Sequence, residues 1–385
     1  MLAGVKTTER MRLADYTTLR LGGAADRFVE AATEEDLIEA VRSSDAEPVP
    51  VLVLGGGSNL VVADEGYPGV VVLAGYGGLR LARTGTAVDV TAAAGQDWDE
   101  LVQRCVGAGL SGVECLSGIP GRVGATPIQN VGAYGQEVAQ TVRQVRAYDR
   151  LTDQVALLAA AECEFGYRTS MFKRQASAAA GSGRLARGAA LNPATATGRF
   201  VVLDVTFRLA TSALSGPIRY GELSRVLGVA DGGQVPLAQA RAAVLELRRS
   251  KGMVLDDSDP DTRSAGSFFT NPIVSTAQYA NVAAHVGAAP GSTGVGSTPH
   301  WLEPDGRVKL SAAWLIEKSG FTRGFRLAGD PDGARISAKH TLALTNPGGA
   351  DTASLIRLAR AIRDGVQTKF GVELVNEPTI VGVQL

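Results

Sequence analysis

The chain has 385 residues, 45% of them hydrophobic and 20% charged, enough for two or three domains with apolar cores. Its 38 lysines and arginines almost cancel 39 aspartates and glutamates, which excludes the basic excess of a nucleic-acid or acidic-membrane binder and makes any anion site a local one. No run approaches the ~18 apolar residues of a membrane span, and the opening residues lack the apolar core of a signal peptide, so a cytoplasmic chain is expected.

In chain order, residues 33–43 (TEEDLIEAVRS) begin with a Thr-x-x-Asp cap and space Leu37, Ile38 and Val41 as one face of a short helix. The run PVPVLVLGGGSNLVVADEGYPGVVVL then alternates apolar segments with glycine turns, a strand-turn-strand pattern. Residues 88–92 read as a further strand. QDWDELVQRCVGAGL reads as a helix with Trp98, Leu101, Val102, Cys105 and Val106 on one face, stopped at Gly107 or Gly109. Cys105, Cys115 and Cys163 form no C-x-x-C pair and have no neighbouring histidine, so they are expected to be packing residues, with no disulfide and no metal. Residues 174–198, rich in Ala, Gly, Ser and Thr, read as a mobile surface insertion. RFVVLDVTFRL resumes as a strand that closes the first half. From about Gly216 a second unit follows, with helices at 237–251 and 310–319, strands around 267–271 and at ISAKHTLALTN, a long helix at 352–370 between Asp351 and Gly371, and a final strand in VELVNEPTIVGV. The irregular mixture of sheets and helices predicts an α+β protein.

Two glycine-rich segments stand out. In Gly55, Gly56, Gly57, Ser58 and Asn59, successive backbone N–H groups can converge on an anion, with Ser58 and Asn59 adding side-chain donors. No helix-opening G-x-G-x-x-G and no Gly-Lys-Ser/Thr is present, so this is neither a Rossmann nor a P-loop turn; the alternative is an ordinary hairpin turn. In residues 119–135, Gly121, Gly124, Gly132 and Gly135 remove side-chain bulk while Gln129 and Asn130 offer amides, which lets backbone lie flat on a planar ligand. The alternative there is a tight corner between packed strands. Two such loops about sixty residues apart suit a long dinucleotide.

VLGGGSNLVV, IPGRVGATPIQNVGAYG, FGYRTSMFK, RYGEL, AGSFFTNP and VKLSAAWLIEKSG occur in the order and approximate spacing of the UDP-N-acetylenolpyruvoylglucosamine reductase family, which the chain resembles over nearly its whole length. The resemblance implies a two-subdomain FAD-binding unit of the vanillyl-alcohol-oxidase-like type followed by an α+β substrate domain. The expected boundaries are 10–210 for the first (subdomains 10–75 and 76–210), 216–376 for the second, and a terminal strand, 377–385, carrying a catalytic glutamate. FAD is expected on Gly55, Gly56, Gly57, Ser58 and Asn59 of the first loop. In the second loop the resemblance places it on Ile119, Pro120, Gly121, Gly124 and Ala125, on Gln129 and Asn130, and on Gly132, Ala133, Tyr134 and Gly135. Arg168 is expected to touch it as well. The three histidines, His285, His300 and His340, lie outside both loops, so attachment is expected to be non-covalent.

The implied reaction uses NADPH as hydride donor and UDP-N-acetylglucosamine enolpyruvate as acceptor. Ser267 matches the serine that protonates the α-carbon, a weak acid that can act only on a strongly basic intermediate in a dry site. Arg168 and Glu377 match the arginine and glutamate that flank the enolpyruvyl carboxylate; an arginine fork suits that anion. A glutamate beside it is expected to be protonated or bridged by Arg168. Lys251 and Tyr220 match residues that hold the diphosphate, with Tyr167 and Asn271 as further substrate contacts, and Tyr220 places the chain in the tyrosine-loop class. A monomer is expected. The rival readings are another flavoenzyme on the same fold, such as a sugar or hydroxy-acid oxidase, and a nucleotide-binding protein without turnover.

Overall fold

The structure is a computed structural model that describes residues 6–47, 49–175, 197–287 and 298–385. Most of the 174–198 insertion lies outside the described residues. Two compact units divide the chain. The first comprises the N-terminal residues to Tyr16, Gly23–Ser58 and Glu65–Val254; the second comprises Thr17–Gly22, Asn59–Asp64 and Leu255–Leu385.

Among the described residues the first unit holds two large sheets and the two-stranded ribbon Gly132–Ala133 with Gln136–Glu137. One has the order Lys6–Arg12, Ala24–Ala31, Tyr67–Ala74, Val51–Leu54, antiparallel at the first pairing and parallel at the other two. The Glu34–Ala46 helix covers it because Thr33 and Asp36 close the expected capping box and Leu37, Ala40 and Val41 fall on one buried face, packed with Val29, Val51, Val70 and Val72. The other sheet is antiparallel, ordered Gln154–Ala159, Val142–Asp149, Phe200–Thr211, Ala87–Ala93, Leu79–Thr84, with Leu110–Ser111 added beside Phe200–Thr211. Its helix, Trp98–Gly107, buries Trp98, Leu101, Val102 and Cys105 against Val90, Val205 and Phe207. Each of these large side chains contributes on the order of 1.5–3 kcal/mol by leaving water. All three cysteines are buried and free.

The segment around residue 216 does not begin the second unit. Ile218, Leu223 of the Gly221–Leu227 helix and Val244 of the Leu237–Ser250 helix form one apolar cluster with Cys115, which ties the chain as far as Val254 to the first unit. The division into units therefore falls some forty residues later than the sequence pattern places it.

The second unit wraps the Thr352–Phe370 helix. Asp351 accepts from Ser354 N at 2.7 Å as its N-cap, Gly371 ends it at φ +66°, and Leu355, Leu358, Ala359, Ile362, Val366 and Phe370 enter the core. Around it lie two three-stranded antiparallel sheets and the parallel pair Leu60–Val62 with Thr379–Val381. ISAKHTLALTN is two short strands, Arg335–Ile336 and Ala343–Thr345, not one. Ser337 Oγ accepts from Lys339 N at 3.0 Å and His340 N at 3.3 Å, and this local turn competes with the ladder. The final strand is likewise confined to Thr379–Val381, after Pro378, which has no N–H for a ladder.

Candidate active site

The first glycine loop is no hairpin turn. The strands on either side of it have different partners: Val51–Leu54 pairs with Tyr67–Ala74 and Leu60–Val62 with Thr379–Val381. Within the first unit the loop instead meets the second glycine segment backbone to backbone. A Cβ on Gly56 would fall 2.6 Å from Gly121 Cα, and a Cβ on Gly121, whose φ is +128°, would fall 2.6 Å from Ser58 Oγ. No side chain larger than hydrogen fits either position. The second segment is pinned from behind, with Trp98 N donating to Gly121 O at 3.1 Å, Val123 N to Gln96 O at 2.9 Å, Gly124 N to Ala94 O at 2.8 Å and Arg122 Nη1 to Gly95 O at 2.9 Å. Gly124 is explained by packing alone, since its Cβ would lie 2.6 Å from Ala94 Cβ.

Farther along, Asn130 departs from its expected role. It adopts φ +50° and is buried; its Nδ2 donates to Glu137 Oε2 at 2.8 Å and Gly166 O at 3.0 Å, while its Oδ1 accepts from Ala139 N at 3.1 Å. Its side-chain amide braces the loop from within, leaving its backbone for any ligand. Arg168 sits at φ +53° on a two-residue turn closed by the Gly166 and Thr169 bridge; its Nη2 donates to Gly132 O at 2.8 Å and its guanidinium lies 5.5 Å from the Tyr167 ring centre. That strained, non-glycine backbone holds the guanidinium against the glycine segment. The structure thus brings Arg168, Tyr167 and Gly132 together.

At the other end of the segment, Tyr134 and Tyr220 stack edge to face at 5.3 Å, and the Lys251 ammonium lies 5.7 Å from the Tyr134 ring centre. Burial pushes the Tyr134 phenol up to about 12. Lys251 is also ion-paired with Glu222. Two further groups in this region were not legible as site residues. Burial alone would raise Asp99, but the Arg241 fork at 2.6 and 2.8 Å and the Gly118 amide at 2.6 Å outweigh it and hold the carboxyl low. Glu114 is fully buried, its carboxylate accepting from Gly112 N at 2.6 Å, Gly216 N at 2.6 Å and Gln136 Nε2 at 2.9 Å. It ties three chain segments together, those leading to Gly118, Tyr134 and Tyr220. The one signal for it was an acid flanked by the apolar Val113, Cys115 and Leu116.

In the second unit, Ser267 ends the Ser264–Ser267 strand, just past Gly266 at φ +71°. Glu377 N donates to Phe268 O at 2.8 Å and Phe268 N to Leu342 O at 2.7 Å, so the backbone places Glu377 beside the residue that follows Ser267. Asn59 belongs to the same unit, its Nδ2 reaching Glu377 O at 3.4 Å. Asn271 Oδ1 accepts from Ala312 N at 2.9 Å, helping to start the Ala312–Lys318 helix.

A family model described as an FAD binding domain matches residues 25–155, and one described as UDP-N-acetylenolpyruvoylglucosamine reductase, C-terminal domain, matches residues 259–381. The UDP-N-acetylenolpyruvoylglucosamine reductase of Thermobifida fusca is 55% identical over 374 residues, covering 97% of each chain. The chain belongs to the UDP-N-acetylenolpyruvoylglucosamine reductase family. A second family member, from Salinispora arenicola, is 52% identical over 97% of this chain and 95% of its own. The crystal structure of the family member from Thermus caldophilus matches with a TM-score of 0.58 at 26% identity, covering 98% of both chains. An FAD-dependent oxidoreductase of this family needs a site for a pyrophosphate. The residues present fit that need, since Gly56 and Gly121 let the two glycine segments meet backbone to backbone with no side chain between them, an arrangement in which backbone amides can serve an anion. Among the described residues, no helix is long and apolar enough to cross a membrane.

Proposed function

We infer that this chain reduces UDP-N-acetylglucosamine enolpyruvate to UDP-N-acetylmuramate with NADPH, in peptidoglycan precursor synthesis in the cytoplasm, acting as a monomer with non-covalently bound FAD. The observation that supports this reading is the backbone hydrogen bond from Glu377 N to Phe268 O, the residue after Ser267, within the segment matched to the reductase C-terminal domain. When bound, FAD supplies the relay of a hydride from NADPH to the enolpyruvyl β-carbon.

The chain's own groups do the rest. The amides of residues 55–58 and of the segment around Gly121 hold the cofactor pyrophosphate, and the flat run through Gln129, Gly132 and Ala133 leaves room for a planar ring. Arg168, fixed by Gly132 O and by its left-handed backbone, offers its fork to a carboxylate and to the charge that grows on it. Ser267 Oγ holds the proton that the α-carbon takes as the double bond is reduced. Glu377 orients that hydroxyl and the bound carboxylate. Lys251 and Tyr220 hold the diphosphate, while Tyr167 and Asn271 complete the contacts to the sugar nucleotide.

Purified FAD-loaded protein is expected to oxidise NADPH beyond the one equivalent that reduces its own flavin only when the enolpyruvyl sugar nucleotide is added, and to yield a product two hydrogens heavier. Repeated turnover of NADPH without that product would overturn the assignment and favour a flavoenzyme with a different electron acceptor.

A further inference from the structure

Lys251, which the proposed function assigns to the substrate diphosphate, already has an anionic partner. It caps the C-terminus of the Leu237–Ser250 helix, and its ammonium is ion-paired with Glu222. Glu222 lies in the first turn of the Gly221–Leu227 helix, whose N-cap is Tyr220. The pair is shielded: the side chains of Lys251 and Glu222 are 25% and 32% exposed, so their attraction is less screened than that of a surface pair. Tyr134, beside the ammonium, is held neutral by burial and cannot substitute as a counter-ion.

We propose that Glu222 is the resident counter-ion of Lys251 and that the diphosphate of the sugar nucleotide binds by exchange with it, which makes Glu222 the residue that sets how tightly the diphosphate is held. The proposal rests on the assignment of Lys251 to the diphosphate. A diphosphate ester brings two negative charges and several acceptor oxygens against one from the carboxylate, so the exchange favours it. A ligand with a single charge merely replaces what it displaces, and a neutral nucleoside has nothing to exchange. Glu222 thus sets a fixed cost on every anion that engages Lys251, which the second charge of a diphosphate more than offsets.

The test is calorimetric binding of uridine 5′-diphosphate, with uridine as control, to the FAD-loaded wild type, Glu222→Gln, Lys251→Gln and the double variant. Glu222→Gln is expected to bind uridine 5′-diphosphate about three- to ten-fold more tightly, the scale of one shielded ion pair. Lys251→Gln is expected to bind it more weakly. The double variant should match Lys251→Gln, so that the gain vanishes with the lysine. Uridine should bind all four alike. Unchanged or weaker binding by Glu222→Gln, with Lys251→Gln weakened, would overturn the exchange while leaving the lysine assignment standing. A gain that persists without Lys251 would also overturn it, as the effect of a long-range field. Lys251→Gln binding as wild type would remove the lysine from the site and the proposal with it.

Discussion

A serine hydroxyl gives up a proton only to a strong base in a dry setting, so under the role proposed for it Ser267 acts at one step and leaves the others alone. Ser267→Ala is therefore expected to retain FAD and its reduction by NADPH while losing ~10² or more in reduction of the enolpyruvyl substrate. Equal losses in both half-reactions would remove Ser267 from proton transfer. Glu114 makes a different claim, since removing its carboxylate strands Gly112 N, Gly216 N and Gln136 Nε2 in a buried place. Glu114→Ala should lower stability by about 3 kcal/mol in urea unfolding, at the high end for stranded buried donors. Burial raises Cys105, Cys115 and Cys163 to about 12, so none should react with a disulfide reagent near neutral pH until the protein unfolds. Ser267 is singled out in the sequence only by the long motif in which it stands. Glu114 is not, because its meaning lies in three segments that only the fold brings to it.

Among the elements, the contact of the two glycine segments is the most exposed to test. Gly56→Ala sets a methyl against Gly121 Cα, backbone that cannot swing aside. It is expected to abolish retention of FAD through purification and to cost about 1–3 kcal/mol, the usual range for overpacking. Gly107→Ala, at the end of the Trp98–Gly107 helix with nothing within 4 Å of its Cβ, is the matched control and should be neutral or slightly stabilising. A Gly56→Ala protein that keeps its flavin would remove this contact from the cofactor site. Elements whose local signals agree were read closely: Thr33 with Asp36, and Asp351 with Gly371, each mark a helix end in the chain itself. The misread strands at ISAKHTLALTN and VELVNEPTIVGV share a cause. Their apolar residues suggest pairing, but the hydroxyl of Ser337 and the ring of Pro378 redirect the backbone.

At the scale of the whole molecule, buried and paired carboxylates set the response to acid. Arg199 holds Asp149 below the usual carboxylate range, Arg208 does the same for Asp89, and Asp99 stays low despite its burial because of Arg241 and Gly118. A depressed folded-state value means that the unfolded chain binds protons first, so this stabilisation is complete above the ordinary aspartate value of 3.8 and is lost as pH falls through the lower folded values. The melting temperature should therefore hold steady down to about pH 4 and fall below it. Asp99→Asn should be less stable at neutrality, with the difference closing in acid; a constant difference at every pH would contradict the role of its charge. The family was legible across the chain because the motifs are long and ordered. The division between units was not, because Cys115, Ile218, Leu223 and Val244 meet only after folding. The central claim, that one bound flavin serves both NADPH and the enolpyruvyl sugar nucleotide, is tested most directly without oxygen, by bleaching the flavin absorbance with NADPH and then adding UDP-N-acetylglucosamine enolpyruvate. Rapid return of the oxidised spectrum in the wild type, and a persistent bleach in Ser267→Ala, is the predicted result; a wild-type flavin that stays bleached would contradict the account.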